Sequence, residues 1–300
     1  MKAFPKIFQL DSRYVDGILD NEVEITEKVD GSQIIISKID GVLSIRSKGA
    51  DIYKEDCPNL FKPAVQHILS IQASLPDNII LYGETLCKPR HNVLNYDKVP
   101  KNHIVLFGAM DLSKNMKDRE YLRSIAEKID VDIIPILYQG NITRDEIDKL
   151  LENISYLGRN KIEGVVVKNY QKQAMVGGII LPLMSGKLVS KEFQEVHQRD
   201  WKKENTSKGK WQTFCEGFKS EARWRKAVQH LRDKDELEND PADIGKLMKE
   251  INKDIEEEEK ETIKDFLYKE FKNDVLSSAK IGFAEWYKNY LKGEIKQNGD

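Results

Sequence analysis

The feature that most constrains the fold is a change of pattern near residue 198. Before it, short apolar runs with strand character, such as Ile79–Tyr82 and Val165–Val167, alternate with helical patterns over 58–75, 118–129 and 143–154. After it, strand signals vanish and apolar residues recur at helical spacing. The lysine-rich stretch 201–210 is typical of a linker. The sequence therefore predicts an α+β domain over residues 1–200 and an all-α domain over residues 201–300.

Charge and cysteine content exclude several classes. The net charge is −2 and the isoelectric point is about 6.3, so any nucleic-acid-binding surface must be local. Cys57, Cys87 and Cys215 are too far apart to indicate a disulfide framework or a metal site, which suits a reducing compartment. The longest apolar stretch, Val176–Met184, is too short to span a bilayer, and the amino terminus lacks a signal pattern. We expect a cytosolic protein without a membrane partner.

The stretch Glu27–Ser32 carries the strongest chemical signal. Its sequence, E-K-V-D-G-S, predicts a strand, a tight turn and a second strand, with Lys28 at the turn. A lysine held there can act as a nucleophile if burial or a nearby cation lowers its pKa, and Gly31 would admit a phosphate or ribose close to the backbone. The alternative is a surface hairpin lysine beside an Asp-Gly turn, and the hexapeptide alone leaves both open.

The next turn predicts a hairpin. Asp40-Gly41 separates two runs of strand character, Gln33–Ser37 and Val42–Arg46. This pairing would return Arg46 toward Lys28, where its guanidinium could bind a phosphate or carboxylate. A solvated arginine at a strand end is the alternative.

Further candidates lie at the ends of other predicted strands. Glu84 ends one apolar strand, Phe107 ends another, and Glu163 precedes the strand that leads to Lys168, with Lys187 farther along. Singly, Phe107 could be a core residue and each glutamate an ordinary strand-end carboxylate. Together they offer an amine, carboxylates and cations, a set that suits attack on a nucleotide phosphate with the help of a divalent metal.

The order of these groups resembles the covalent nucleotidyltransferases, the superfamily of ATP-dependent ligases and capping enzymes. K-x-D-G at Lys28, then Arg46, G-E at Glu84, Phe107, E-G-x-x-x-K from Glu163 and finally Lys187 follow that superfamily's motif order. The resemblance covers residues 28–191. It implies an α+β nucleotidyltransferase domain with ATP-grasp-like antiparallel sheets and flanking helices.

Within the superfamily the chain looks like a phage-type RNA ligase. Gln33 stands where DNA ligases and capping enzymes usually carry an arginine. The segment from Gly83 to His91, with Tyr96, Asp97 and Pro100, is similar to an extended motif of phage and bacterial RNA ligases. A helical region follows the first domain, whereas DNA ligases and capping enzymes carry a β-rich OB domain there.

The resemblance implies catalytic roles for Lys28, Asp30, Glu163 and Lys187. Lys28 would attack the α-phosphate of ATP and become lysyl-AMP, and Asp30 would orient the ribose or the lysine. Glu163 would lie at the Mg²⁺ or Mn²⁺ ion, and Lys187 would contact the AMP phosphate. Glu27 would help to read the adenine edge.

Other cofactor contacts follow from the same resemblance. Arg46 would bind phosphate, Glu84 would hold the ribose, Phe107 would stack on adenine, and Lys168 would contact the AMP phosphate. His91 receives no chemical role.

Two departures from the family pattern stand out. The aromatic motif, often F-D, is Phe107-Gly108 here. The last motif, usually K-x-K, is Lys187-Leu188-Val189. Either Lys191 replaces the second lysine or one phosphate contact is lost.

The implied activity is ATP-dependent joining of RNA 5′-phosphate and 3′-OH ends, through lysyl-AMP and adenylylated RNA, by a monomer. The alternatives are a DNA or mixed-strand ligase and a nucleic-acid-binding module that has lost catalysis. The helical region would hold the nucleic-acid ends through basic residues: Lys202, Lys203, Lys219, Arg223 and Arg225.

Overall fold

The computed structural model describes residues 4–52, 57–92, 94–190 and 207–291. The contacts divide the chain into two compact units. The first unit is Met1–Val196 together with Ser220–Asp243, and the second is His197–Lys219 together with Ile244–Asp300. Whether residue 200 is a functional boundary stays a prediction.

The secondary structure follows in chain order. The strands are β1 (Phe8–Gln9), β2 (Val23–Lys28), β3 (Ser32–Ile39), β4 (Val42–Arg46), β5 (Ile79–Thr85), β6 (Ile104–Asp111), β7 (Asp132–Ile133), β8 (Ile136–Gly140), β9 (Gly164–Asn169), β10 (Ala174–Val176), β11 (Ile179–Leu181) and β12 (Met184–Val189). The helices are α1 (Lys62–Ser70), α2 (Arg119–Lys128), α3 (Arg144–Leu150), α4 (Ser207–Gly217), α5 (Glu221–Arg232), α6 (Ile244–Glu258), α7 (Lys260–Ser278) and α8 (Phe283–Leu291).

Two five-stranded sheets build the first unit. Their strand orders are β1-β12-β9-β2-β8 and β4-β3-β5-β6-β7, and β10 and β11 form a separate hairpin. Most pairs are antiparallel, while β1–β12 and β6–β7 are parallel. The described elements between residues 207 and 291 are all helical. The predicted α+β class with a helical carboxyl-terminal region is confirmed.

The two predicted turns have different outcomes. Asp40 and Gly41 join β3 to β4 with φ values of 49° and 79°, the left-handed pair that a type I′ hairpin turn requires. That hairpin is confirmed. The stretch after Lys28 also lies between two strands, but β2 and β3 belong to different sheets. It is a crossover between sheets rather than the turn of a paired hairpin, because β2 pairs with β8 and β9.

Each sheet buries one apolar face against helices. Ile34 and Ile36 of β3 pack with Ile68 of α1 and Leu122 of α2 in one buried cluster. Ile25, Val165 and Val167 of the other sheet pack with Ile147 of α3 in a second. Ile35, between Ile34 and Ile36, lies in a separate buried cluster with Phe4 and Tyr82, because successive side chains of a strand point to opposite faces.

Helix ends follow the sequence signals with one shift. Thr143 and Glu146 form a capping box at the start of α3, where the helical pattern over 143–154 begins. The helical pattern over 58–75 condenses to α1, because the chain first turns at Pro58, whose carbonyl accepts from Phe61 N at 2.9 Å.

The second unit has its own aromatic core. Phe214, next to the end of α4, stacks on Phe266 of α7 with ring centroids 4.0 Å apart, and Trp211 lies 5.9 Å from the same ring. Lys210 pairs with Glu270 at 3.0 Å.

Only some of the basic residues expected to hold the nucleic-acid ends are exposed and free of an intramolecular ion pair among the described residues. Arg223 of α5 is 1% exposed, so its expected phosphate contact is wrong. Arg225 forms an ion pair with Glu221, and Lys202 and Lys203 lie outside the described residues. In the described part of the chain, no helix has the length and apolar character that crossing a bilayer would need.

Candidate active site

Strand register brings the nucleophile candidate to its carboxylate partner. Lys28, the last residue of β2, pairs with Gly164, the first residue of β9. Glu163 immediately precedes that glycine, and both of its carboxylate oxygens lie 2.6 Å from Lys28 Nζ. A contact across 135 residues of sequence is therefore fixed by the pairing of β2 with β9.

The electrostatics of this pair differ from the sequence expectation. Burial by itself would lower the pKa of Lys28, but the charge of Glu163 and the hydrogen bond to it outweigh burial, so the pKa is raised. Asp30 and Glu84 contribute in the same direction. Burial raises the pKa of Glu163 to about 6 against the opposing charges of Lys28 and Lys187. The described site thus holds Lys28 as an ammonium paired with a carboxylate.

The two acidic residues that flank Lys28 are anchored by surrounding loops. Glu27 accepts hydrogen bonds from the Ser155 hydroxyl and from the backbone N–H of Tyr156. Burial is the main reason that its pKa is raised. Asp30 Oδ2 accepts from Leu94 N at 2.7 Å, and Asp30 N donates to the Tyr96 hydroxyl at 2.9 Å. These bonds hold the backbone on both sides of the lysine.

Three motif glycines allow backbones to approach closely around the site. A Cβ on Gly31 would lie 3.0 Å from the Thr85 carbonyl oxygen, and one on Gly83 would lie 2.8 Å from the Val105 carbonyl oxygen. A Cβ on Gly164 would lie 2.9 Å from Val189 Cα. The glycines beside Lys28, Glu84 and Glu163 therefore let strands pack where these side chains converge.

Glu84 differs from the other carboxylates. Burial raises its pKa to about 8, with the charge of Lys28 opposing and the charges of Glu163, Asp233 and Asp30 adding. Its Oε2 atom is buried and has no hydrogen-bond partner among the described residues. A buried acceptor without a donor is costly and is uncommon in native structures, so this oxygen is available to a ligand donor such as a ribose hydroxyl.

Arg46 lies at the end of β4, whereas Lys187 lies within β12, opposite Val166 of β9. The charge of Lys187 lowers the pKa of Glu163. Arg46 ends β4 and forms an ion pair with Asp51 at 3.0 Å. Its phosphate contact and its return toward Lys28 stay predictions. Lys191, the expected substitute for the missing lysine, lies outside the described residues.

Phe107 and Lys168 share a contact in the protein interior. Lys168 Nζ donates to the Phe107 carbonyl at 2.8 Å and lies 3.4 Å from Glu24 Oε1. Burial lowers the pKa of Lys168, although the charge of Glu24 opposes this. The Phe107 ring packs edge-on against Phe4 at 5.1 Å and is half-buried. In the described structure, the Lys168 ammonium thus contacts the Phe107 carbonyl and Glu24. The contact of Lys168 with an AMP phosphate stays a prediction.

The carboxylates of the site suit a divalent cation that is bound partly by water and by substrate phosphates. In residues 4–52, 57–92, 94–190 and 207–291, no cluster of three or more His, Cys, Asp or Glu side chains has the geometry of a metal site. Mg²⁺ and similar hard cations are commonly held by one or two carboxylates together with water and substrate phosphates. Glu163 is a carboxylate of this kind, with both of its oxygens in contact with Lys28 Nζ.

Several residues of the site escape sequence reasoning. Ser155 and Tyr156 hold Glu27, and Gln229 and Asp233 of the α5 region bond to the Gly31–Ser32 backbone and side chain. Their positions in the sequence give no signal, since each acts across more than a hundred residues. Tyr96 does lie in the extended motif, but its bond to Asp30 N cannot be read from the pattern.

Comparison with known proteins supports the motif order. A sequence model of the RNA ligase family matches residues 21–180, more than half of the chain. The comparison with curated proteins gives no match.

Solved structures show the same fold. A mutant of the Naegleria gruberi RNA ligase with ATP and Mn is 17% identical, with a TM-score of 0.50, over 63% of this chain and 56% of that chain. An apo mutant of the same ligase is 19% identical, with a TM-score of 0.50 and the same coverage. The match thus spans little more than half of the Naegleria protein. With the family match over residues 21–180, these observations establish that the chain belongs to the RNA ligase family.

Proposed function

We propose that this protein is an ATP-dependent RNA ligase that joins 5′-phosphate and 3′-OH ends through a lysyl-AMP intermediate. One observation carries the proposal. Lys28 Nζ lies 2.6 Å from both oxygens of Glu163, in the part of the chain that matches the RNA ligase family. A lysine with a carboxylate in contact supplies the attacking amine of adenylyl transfer and an acceptor for its proton.

The first step is the attack of the Lys28 amine on the α-phosphorus of ATP, which releases pyrophosphate and forms a phosphoramidate bond to AMP. The Lys28 ammonium must first lose a proton to the contacting Glu163 carboxylate or to water, and its contact with Glu163 must loosen, since an ammonium has no lone pair. A bound Mg²⁺ or Mn²⁺ ion supplies positive charge at the phosphates and at the Glu163 carboxylate. To Lys187, whose charge lowers the pKa of Glu163, we assign the cation that contacts the α-phosphate.

The remaining site residues select and orient the nucleotide. Glu84 offers its unpartnered oxygen to the ribose, and Glu27 lies beside Lys28 to contact the adenine edge. Phe107 supplies an aromatic face for the base. We assign phosphate contacts to Arg46 and Lys168, with Asp30 orienting the segment that carries the lysine.

The later steps transfer AMP to a 5′-phosphate and then seal the strand. The 5′-phosphate oxygen attacks the lysyl-AMP phosphorus and frees Lys28. A 3′-OH next attacks the adenylylated end, forms the phosphodiester and expels AMP. Positioning of the two ends is the contribution we assign to the helical second unit.

A strand-joining assay tests this function and its alternative. Nicked and single-stranded substrates carry a 5′-phosphate, with RNA or DNA in turn on the 3′-OH side, and Lys28→Ala serves as the matched control. We expect sealing only by the unaltered protein, and faster sealing from an RNA 3′-OH. If an all-DNA 3′-OH strand is sealed as fast, the DNA-ligase alternative replaces the RNA assignment.

A further inference from the structure

Helix α5 and the residue that follows it contact the segment that carries the nucleophile. Gln229 Nε2 donates to the Gly31 carbonyl at 2.9 Å. The Ser32 hydroxyl donates to Asp233 Oδ2 at 2.6 Å. Gly31 and Ser32 lie three and four residues after Lys28, where the chain crosses from one sheet to the other. A helix from the carboxyl-terminal third of the chain is thus bonded to the crossover.

The bond to Asp233 has a defined direction. His91 Nδ1 accepts from Cys87 N at 3.1 Å, so in a neutral imidazole the proton resides on Nε2. Burial, together with the charges of Lys88 and Arg232, lowers the pKa of His91 to about 4, which keeps the ring neutral near neutral pH. Nε2 lies 2.8 Å from Ser32 Oγ. His91 therefore donates to the Ser32 oxygen, and the Ser32 proton is directed at Asp233.

Other segments hold the same crossover from the first unit's own loops. The Gly31 carbonyl accepts a second bond from Asn92 Nδ2 at 3.0 Å, and Tyr96 accepts from Asp30 N. The crossover backbone is therefore held by Asn92 and Tyr96 as well as by α5. Ser220–Asp243 belongs to the same compact unit as these residues.

We infer that Asp233 and Gln229 are positioning residues for lysine adenylylation, acting through Ser32 and Gly31 on the placement of Lys28. The inference rests on the proposed function. A nucleophile displaced by about 1 Å can lose roughly a hundredfold in rate, so loss of these bonds should slow the first chemical step. Asp233 Oδ1 is buried without a hydrogen-bond partner in the described residues, which lowers the stability of the folded protein. A residue that served stability alone would not carry this cost.

Full-length point variants test the inference. Asp233→Ala and Gln229→Ala remove the two bonds separately, while Asp233→Asn keeps an acceptor oxygen for Ser32. Asp235→Ala is the matched control. Asp235 also joins the α5 region to the rest of the first unit, since its Oδ2 accepts a hydrogen bond from Asn59 N at 3.0 Å, but this bond does not involve the crossover. The readouts are the single-turnover rate of label transfer from α-labelled ATP to protein, the ATP concentration at half-maximal rate, and the thermal unfolding temperature.

We expect Asp233→Ala to slow label transfer about tenfold or more at saturating ATP, with half-saturation changed less than about threefold. Asp233→Asn should recover most of the rate, and Asp235→Ala should stay within about twofold of the unaltered protein. Ser32→Ala should be as slow as Asp233→Ala, and the double variant no slower, since both remove one interaction.

Three results would overturn the inference: unchanged label transfer in Asp233→Ala, an Asn variant as slow as the Ala variant, or additive losses with Ser32→Ala. If Asp233→Ala unfolds, the Asn variant and Gln229→Ala carry the test, and full activity of Gln229→Ala then counts against it. Failure of the proposed function is distinct, because the unaltered protein itself would take no label.

Discussion

Two partly buried glutamates of the candidate site, Glu163 and Glu84, have different hydrogen-bond partners. Both oxygens of Glu163 contact Lys28 Nζ at 2.6 Å, whereas Glu84 Oε2 has no hydrogen-bond partner within the described ranges. Burial raises both pKa values, to about 6 for Glu163 and about 8 for Glu84. A lysine of the protein thus compensates the first carboxyl group, whereas one oxygen of the second has no donor among the described residues.

The two glutamates come from different sheets but from similar local structure. Gly83 precedes Glu84 at a register shift in β5, and Gly164 follows Glu163 at the start of β9. In each case a Cβ on the glycine would meet the backbone of the neighbouring strand. Close strand packing beside each carboxylate is thus common to both, and the partner is what distinguishes them.

The largest expected effects on the labelling rate come from Glu163, the glutamate paired with Lys28, and from Lys187. Glu163→Ala and Lys187→Ala should each slow label transfer from ATP to protein by about a hundredfold or more, because each removes a charge at the reacting centre. Single-turnover labelling measures the rate. Glu152→Ala is the control, since Glu152 is an exposed carboxylate in an ion pair with Lys161. If Glu163→Ala labels as fast as the control, Glu163 is not part of the reacting centre.

The close packing next to Glu163 gives the next largest effect, on stability. Gly164→Ala should lower the free energy of unfolding by about 1–3 kcal/mol, because the new methyl group meets the Leu188 carbonyl and Val189 Cα on β12. Gly245→Ala is the matched control, since a Cβ there meets nothing within 4 Å. Denaturant unfolding compares the two. Equal stability of both variants would show that the strands do not pack closely beside Glu163.

The smallest expected effect is a pH-dependent change in stability caused by Glu84, whose Oε2 has no hydrogen-bond partner among the described residues. The folded state raises the pKa of Glu84 from 4.5 to about 8, so this group favours folding fully below pH 4.5, and that contribution is lost as the pH rises through 8. Glu84→Gln removes the charge that is costly to bury. The unfolding temperature of Glu84→Gln relative to the unaltered protein should therefore increase from pH 5 to pH 8.5.

The same variant should transfer label more slowly, because one of the two carboxyl oxygens offered to the ribose becomes an amide nitrogen, which cannot accept a hydrogen bond. Glu84→Gln would then be more stable and less active, as expected of a residue kept for a ligand. A difference in unfolding temperature that is flat with pH would contradict the account of Glu84 as an uncompensated carboxyl group.

The strands and the order of the motifs can be predicted from the sequence, but the pairing between distant strands cannot. The Asp40-Gly41 hairpin is local and is predicted correctly, since its turn chemistry lies in adjacent residues. The crossover after Lys28 is not, because whether β2 pairs with β3 or with β9 depends on packing 135 residues away. Motif spacing identifies Glu84 and Glu163 as candidates but cannot show which of them contacts the lysine.

The contribution of α5 is out of reach for the same reason. Gln229 and Asp233 lie in a region whose pattern predicts only a helix, and their contacts with Gly31 and Ser32 span about two hundred residues. Arg223 shows the converse error, since a basic residue in a helical pattern is expected at the surface, yet it is buried here.

The most direct test of the central claim is the site of covalent labelling. The unaltered protein is incubated with α-labelled ATP and Mg²⁺ or Mn²⁺, denatured, digested with protease and mapped by mass spectrometry, beside Lys28→Ala and Lys187→Ala. We predict AMP on Lys28, no covalent label in Lys28→Ala, and residual label on Lys28 in Lys187→Ala. Label on another lysine, or undiminished labelling of Lys28→Ala, would contradict the assignment of Lys28 as the nucleophile.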